Sequence, residues 1–185
     1  MTNYAKLIDG EPFFLERVPY ISNATEAQLA EYAAAQGYKP LETTPSPGLY
    51  YTEEWEQTPA AIRNTWTPWT LAKAKEDAET RVQEELTATL SERVTIPCAG
   101  VENGVISDND ALFNAAGDFR GAAAIVDADN VLHPNTAELQ EAYKTALAER
   151  RNSLYALATY RRALIAAAED VDAVEAALTA TPNPA

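Results

Sequence analysis

Reactive side chains are scarce in this sequence, and each shortage closes off a class of chemistry. A single histidine, His133, excludes any metal site built on two histidines. It stands beside Pro134 at the expected start of a helix, where a capping or surface role suits it. A single cysteine, Cys98, cannot close an internal disulfide. It follows Pro97 in an apolar stretch and reads as a small buried hydrophobe. A Cys–His pair would also lack an evident third group to orient it. Only seven glycines are present and none are clustered, so no phosphate-cradling loop can form. No Gly-x-Ser-x-Gly nucleophile elbow occurs either.

Basic charge is short as well. Lysine and arginine total 14 against 28 acidic residues, a net charge of -14. Such a field repels phosphate, so neither nucleic acid nor an anionic membrane surface is an expected partner. Its general effect is to keep the protein soluble. No apolar run approaches the roughly 20 residues that span a bilayer. The opening Met1–Lys6 has no apolar core of the kind a signal peptide needs, so none is expected.

The acids form no recognisable site. Asp108, Asp110, Asp127 and Asp129 invite a calcium reading, but both runs lack the central glycine and terminal glutamate of an EF-hand loop. Turn and capping duty accounts for all four. Glu53-Glu54 and Glu84-Glu85 lie in runs expected to be solvated, whereas a catalytic carboxylate needs apolar surroundings. We expect no catalytic residues, no metal, no cofactor and no enzymatic activity.

What is present is patterned hydrophobicity, in a length suited to one medium or two small domains. Tyr4–Ile8 reads as a strand, Asp9-Gly10 as a turn and Pro12–Val18 as the returning strand. Asn23 with Glu26 has capping-box spacing for a helix that carries Leu29, Tyr32 and Ala33 and ends at Gly37. Tyr38–Leu41 is extended and Thr43–Gly48 a loop. Tyr50–Gln57 and Ala60–Thr67 form a hairpin about Thr58-Pro59, with Ile62, Asn64 and Trp66 on one face.

Thr67-Pro68 has N-cap and N1 chemistry, which predicts a helix from Trp69 to about Arg93. Leu71, Ala74, Ala78, Val82, Leu86 and Leu90 make a narrow apolar seam along it, surrounded by charge. Such a seam suits contact with one other helix, from this chain or from another. Val94–Ile96 and Val105-Ile106 are expected to pair around Asn103-Gly104. Ser107 should cap a helix carrying Leu112, Phe113 and Ala116, and Phe119–Val126 reads as a short helix. Asp127–Asn130 is a turn and Val131–His133 an extended piece. Asn135, with Glu138, should cap a long helix reaching Ala168, with Leu139, Tyr143, Leu147, Leu154, Leu157 and Leu164 as its stripe. Asp170 opens a last short helix, and Thr181–Ala185 should be non-helical.

The expected class is therefore α+β. A small N-terminal α+β module with a β-hairpin covers residues 1–67, and a connecting helix covers 68–93. A mainly helical C-terminal domain with a short hairpin covers 94–185. The candidate interface is Trp55, Trp66 and Trp69, the seam residues Leu71, Ala78, Val82, Leu86 and Leu90, and the pairs Arg150-Arg151 and Arg161-Arg162. Tryptophan is enriched at protein interfaces. The arginine pairs are spaced by about three helical turns, so they lie near one face and could grip the Glu-rich helix here or in another copy. Reversing the charge of Arg161 and Arg162 is expected to weaken association and leave folding nearly intact.

Several of these segments also carry a family resemblance. Tyr4-Ala5-Lys6-Leu7-Ile8-Asp9-Gly10, Gly37-Tyr38-Lys39-Pro40-Leu41 and the Trp55…Ile62…Trp66 set resemble the start of small proteins encoded in phage and prophage tail gene clusters. Val94–Leu178 resembles a tail-associated domain of unknown function found beside tail-fibre genes. The matching residues are Asn103-Gly104 with Asp108, Asn130-Val131-Leu132, Thr136-Ala137-Glu138-Leu139, Leu154-Tyr155 and Ala163–Ala168. Together these segments cover most of the chain, and the family has no catalytic residues to carry over. The resemblance implies a virion component, located in the tail and present in the host cytoplasm during assembly. Its partner would be a tail-fibre or baseplate protein, with a homo-oligomer possible. The alternative it leaves open is a tail-fibre assembly chaperone absent from the mature virion.

Overall fold

The hairpin that opens the chain rests on two consecutive residues with positive φ, Asp9 at 53° and Gly10 at 86°. That pair is what a two-residue hairpin turn needs to match the twist of its strands. It joins β1 (Tyr4–Ile8) to β2 (Glu11–Phe14), which ends earlier than the expected Val18. The computed structural model describes residues 2–15, 24–92, 94–98, 101–107, 124–126, 129, 131–134 and 136–182. Two compact units result, Met1–Leu71 and Ala72–Ala185. Four helices and a five-stranded mixed sheet are described, an α+β fold.

In the first unit, α1 (Glu26–Ala35) is capped by Thr25 and not by Asn23. The Thr25 hydroxyl accepts from the Gln28 N–H while the Gln28 side chain accepts from the Thr25 N–H, a complete capping box. Asn23 lies outside the described residues. At the other end Gly37, at φ 76°, closes a Schellman motif in which Tyr38 N–H donates to Ala33 O and Gly37 N–H to Ala34 O. The chain then enters β3 (Lys39–Glu42), β4 (Tyr51–Gln57) and β5 (Ile62–Pro68). The strand order is β2-β1-β3-β5-β4, with β3 and β5 parallel and the other pairs antiparallel.

The expected helix start at Thr67-Pro68 is overturned. Thr67 pairs with Thr52 and Pro68 with Tyr51, so both finish strand β5. Trp69 N–H then donates to Tyr50 O, extending the pairing by one more bond. Proline is tolerated at a strand end because no ladder bond is asked of it there.

The core of this unit is small: among the described residues Tyr4, Ala5, Ala33, Tyr50, Ala61 and Ile62 are its buried apolar ones. Its one buried polar residue among those described is Asn64. The register puts Asn64 opposite Trp55 and on the face shared by Ile62 and Trp66. Its carbonyl oxygen accepts from the Thr44 N–H at 2.6 Å and the Thr44 hydroxyl at 3.1 Å. Its amide donates to Thr44 O and to Glu53 Oε1, both at 2.8 Å. The side chain is thereby satisfied on both ends, and it fastens the 43–48 loop to the sheet.

In the second unit, α2 (Leu71–Ser91) leads to β6 (Val94–Cys98) and β7 (Val101–Ser107). Here the expected turn at Asn103-Gly104 is corrected. Ile96 pairs with Val105 and Cys98 with Val101, so the chain reverses between Cys98 and Val101. Residues 102–104 lie opposite Pro97 alone, in a bulge. Proline has no N–H for the ladder, and the irregularity falls where the bond is missing.

Two short strands, β8 (Ala124–Val126) and β9 (Leu132–Pro134), pair antiparallel, so the end of the expected 119–126 helix is extended instead. The expected helix after Ser107 lies outside the described residues. The long helix α3 (Ala137–Ala167) is capped by Thr136, whose hydroxyl accepts from the Leu139 N–H, and not by Asn135. The last helix α4 (Val171–Thr179) is capped by Asp170 as expected. Both β6 and α4 pack on α3.

All three tryptophans, Trp55, Trp66 and Trp69, lie in the first unit, while most helical residues lie in the second. Tryptophan fluorescence and far-ultraviolet circular dichroism therefore report different units. Asn64→Ala removes the partner of the Thr44 N–H and hydroxyl and of Glu53, while the Thr44 carbonyl keeps Trp66 Nε1, and should cost the first unit about 1 kcal/mol. We expect the fluorescence midpoint in urea to fall while the dichroism midpoint stays put.

Candidate interface residues

The apolar seam of α2 is buried inside the second unit. Ala74, Ala78, Val82, Leu86 and Leu90 are all buried, at the three-to-four spacing of one helix face. Leu71, at the head of the helix, is half-buried. The seam lies against α3 of the same chain. Val82, Leu86 and Thr89 of α2 face Leu154, Leu157 and Ala158 of α3 around a cavity of about 20 Å³. That volume suits one water and no substrate. Contacts run in opposite order along the two helices: Lys75 with Ala166, Gln83 with Arg162, Glu85 with Arg161, Thr89 with Arg150. The pair is antiparallel.

The polar bonds across this pair follow one rule. The last four carbonyls of a helix lack partners within it and carry the negative end of the dipole. None of α2, α3 and α4 has a basic residue in its own last turn. A neighbour supplies one each time. Arg150 Nη2 donates to Thr89 O near the end of α2, at 2.7 Å. Lys75 Nζ donates to Ala166 O near the end of α3, at 2.8 Å. Arg161 Nε donates to Ala180 O just past α4, at 3.0 Å.

Arg161 also pairs with Glu85 at 2.7 Å, and its side chain is only 11% exposed. It therefore joins three helices. Arg162 donates to Gln83 at 2.6 Å. Arg151 lies 5.5 Å from the centre of the Tyr155 ring, a cation–π arrangement on its own helix. Of the two grips the sequence allows, the structure places Arg150, Arg161 and Arg162 on the Glu-rich helix of the same chain.

The tryptophans occupy other ground. Trp55 and Trp66 share one sheet face, and each is half-buried. Trp66 Nε1 donates to Thr44 O at 3.1 Å. Trp69 lies past the strand, packs against Tyr50 with ring centroids 5.6 Å apart, and donates to the Thr52 hydroxyl. The tryptophans thus serve the sheet and its loop, while the seam and arginines serve the helical unit.

Sequence reasoning missed Lys75, Ala158 and Ile165. Ala158 and Ile165 are buried and continue the stripe of Leu139, Tyr143 and Leu147. The signal was available: 139, 143, 147, 150, 154, 158, 161, 165 is an unbroken run of steps of three and four. Arg150 and Arg161 fall on it, so they face the core side. Lys75 stands near the N-terminus of a helix, where a cation is disfavoured by that helix's own dipole.

Among the described residues, no group of three or more His, Cys, Asp or Glu side chains is placed to hold a metal ion. No described helix is long and apolar enough to cross a membrane. His133 is half-buried in β9 opposite Ile125, and Asp129 is exposed in a turn. Asp108, Asp110 and Asp127, and the side chain of Cys98, lie outside the described residues. An open hollow along the first half of α3 is lined by Glu138, Glu141 and Glu149 with small residues between. The Glu138 carboxyl is held below its ordinary value by the backbone N–H at its own position and by Thr136. That is the opposite of the elevation a general acid needs. No protein-family model, no curated protein and no solved structure matches the chain.

Arg161→Ala should cost the second unit about 2 kcal/mol, because the Ala180 carbonyl and Glu85 both lose their partner. Charge reversal at Arg161 should cost more, the reverse of what exposure at the surface would give. Either change lowers the dichroism midpoint and leaves tryptophan fluorescence unmoved. At Glu138 the lowered carboxyl contributes stability that is complete above the ordinary value of 4.5 and is lost as pH falls through the folded value. Thr136→Val should raise the Glu138 midpoint, followed by carbon-13 NMR titration of the side chain.

Proposed function

We propose that the chain is a non-enzymatic structural or accessory protein of a phage tail. In this reading it attaches to or decorates the tail fibre or baseplate through protein–protein contacts. The resemblance of its N-terminal segments and of Val94–Leu178 to tail-region proteins motivates the reading. The observation that supports it best is where the basic charge goes. Arg63 bonds Glu42, Lys39 the Thr58 carbonyl, Arg81 Asp77, and Lys75, Arg150, Arg161 and Arg162 bond neighbouring helices. These seven of the fourteen cations meet acceptors of the same chain, and the net charge is -14, so acidic charge predominates. Such a balance suits a protein partner and not a phosphate backbone.

The test is mass spectrometry of purified particles. The chain should be recovered with tail proteins at a fixed stoichiometry. Absence from particles, with co-purification alongside free fibre protein, would replace this role with that of an assembly chaperone.

A further inference from the structure

Asn103-Gly104 has turn chemistry but makes no turn, since the chain reverses between Cys98 and Val101 instead. The dipeptide lies within β7, in the stretch 102–104 that has no partner in the register and stands opposite Pro97. Proline has no N–H to give, so the ladder cannot close fully across from it. Pairing resumes on either side, with Val105 on Ile96 and Val101 on Cys98. Among the described residues β7 pairs with β6 alone. Asn103 is also the one asparagine of the chain that precedes a glycine. A glycine nitrogen is the least hindered nucleophile a backbone offers, because no Cβ stands beside it.

We propose that Asn103-Gly104 is a self-modifying site that deamidates in the folded protein, with water as its co-reactant. The Gly104 nitrogen gives its proton to hydroxide and bonds to the side-chain carbonyl carbon of Asn103. The bond from that carbon to the amide nitrogen breaks, and ammonia leaves after taking a proton from water. The cyclic succinimide that remains is opened by water at either carbonyl. The products are aspartate and isoaspartate, each with one more negative charge than before. Ring closure must turn the Asn103 backbone away from its extended conformation. A register partner would resist that rotation, and residues 102–104 have none. Isoaspartate carries an extra methylene in the main chain, which a bulge of three residues against one can take up while the flanking pairs stay in place. The other described asparagines lack this combination. Asn3 and Asn64 precede the bulkier Tyr4 and Thr65, and the Asn64 amide is held by Thr44 and Glu53. Asn152 precedes Ser153 inside α3, where the helix bond engages the attacking N–H. Asp9-Gly10 has a carboxylate in place of the amide, so it releases no ammonia and gains no charge. This proposal is independent of the tail role.

Incubation of the whole folded protein at mildly alkaline pH, beside the same protein unfolded in urea, tests it. Isoelectric focusing should show a form with one added negative charge, and peptide mass mapping should place the change at Asn103. Protein isoaspartate methyltransferase should label the same peptide. The folded rate should lie within about tenfold of the unfolded rate, whereas a strand held by its ladder protects far more. Gly104→Ala should slow the folded reaction about tenfold by crowding the nitrogen. Asn103→Gln should abolish it on the same timescale, so the result does not hang on the folding of one variant. The aged protein should keep the dichroism midpoint of the fresh one. A folded protein that stays unmodified while the unfolded one reacts overturns the proposal. So does a charge change that maps only to another asparagine, or an aged form whose dichroism midpoint has fallen.

Discussion

The helical unit depends on Arg161. A guanidinium carries its donors in a fixed fork, so one side chain can serve two acceptors at set angles. Here one donor meets the Glu85 carboxylate on α2 and another meets the carbonyl that ends α4. The charge sits almost fully inside the packing and keeps its charge-assisted bonds there. Arg150 and Lys75 repeat the device at the ends of α2 and α3. Because the helices run antiparallel, the positive end of one lies beside the negative end of the next. Cations placed away from a helix's own C-terminus are therefore where its neighbour needs them. Lysine would not replace Arg161 fully, since a single ammonium on a flexible stem lacks the fork.

The sheet unit solves a different problem. Its apolar core, among the described residues, is built of alanines, one isoleucine and two tyrosines, which give limited burial. Asn64 adds order where burial is thin. It replaces a stretch of apolar packing with four bonds, three to Thr44 of the loop and one to Glu53 of β4. Tyr50 and Trp69 hold the far end of the β4–β5 pair by a tilted ring contact of the kind worth about 1 kcal/mol. The unit is specified by directional contacts more than by volume.

Much of this was legible in the sequence because period and turn chemistry are local. Asp9-Gly10, Gly37, the Thr58-Pro59 hairpin, the seam of α2 and the extent of α3 all follow from residues close in the chain. Failures came where two local signals competed. Asn23 and Thr25 both have a partner three residues on, and Thr25 wins because it gives the capping box its hydroxyl. Thr67-Pro68 has helix-start chemistry, but the ladder to Thr52 and Tyr51 claims both residues first. Asn103-Gly104 makes a good turn, yet the break imposed by Pro97 moves the turn elsewhere. The roles of Arg150 and Arg161 were not legible from charge, because a solvated arginine and a buried one look alike in composition. Their place on the apolar stripe is what separates them.

The two outermost described strands of the five-stranded sheet, β2 and β4, have a consequence for handling and storage of the protein. A bare strand margin is a template on which other molecules can add strands and polymerise. On one margin, β2 is four residues long and contains Pro12, which has no N–H to offer. On the other, β4 carries Glu53, Glu54 and Glu56, so an incoming identical strand would set carboxylates against carboxylates. The flank nearest β2 still exposes Phe13 and Phe14. Neutralising the β4 glutamates, by acid or by amide substitution, would remove the guard from the longer margin and invite fibrils to start there.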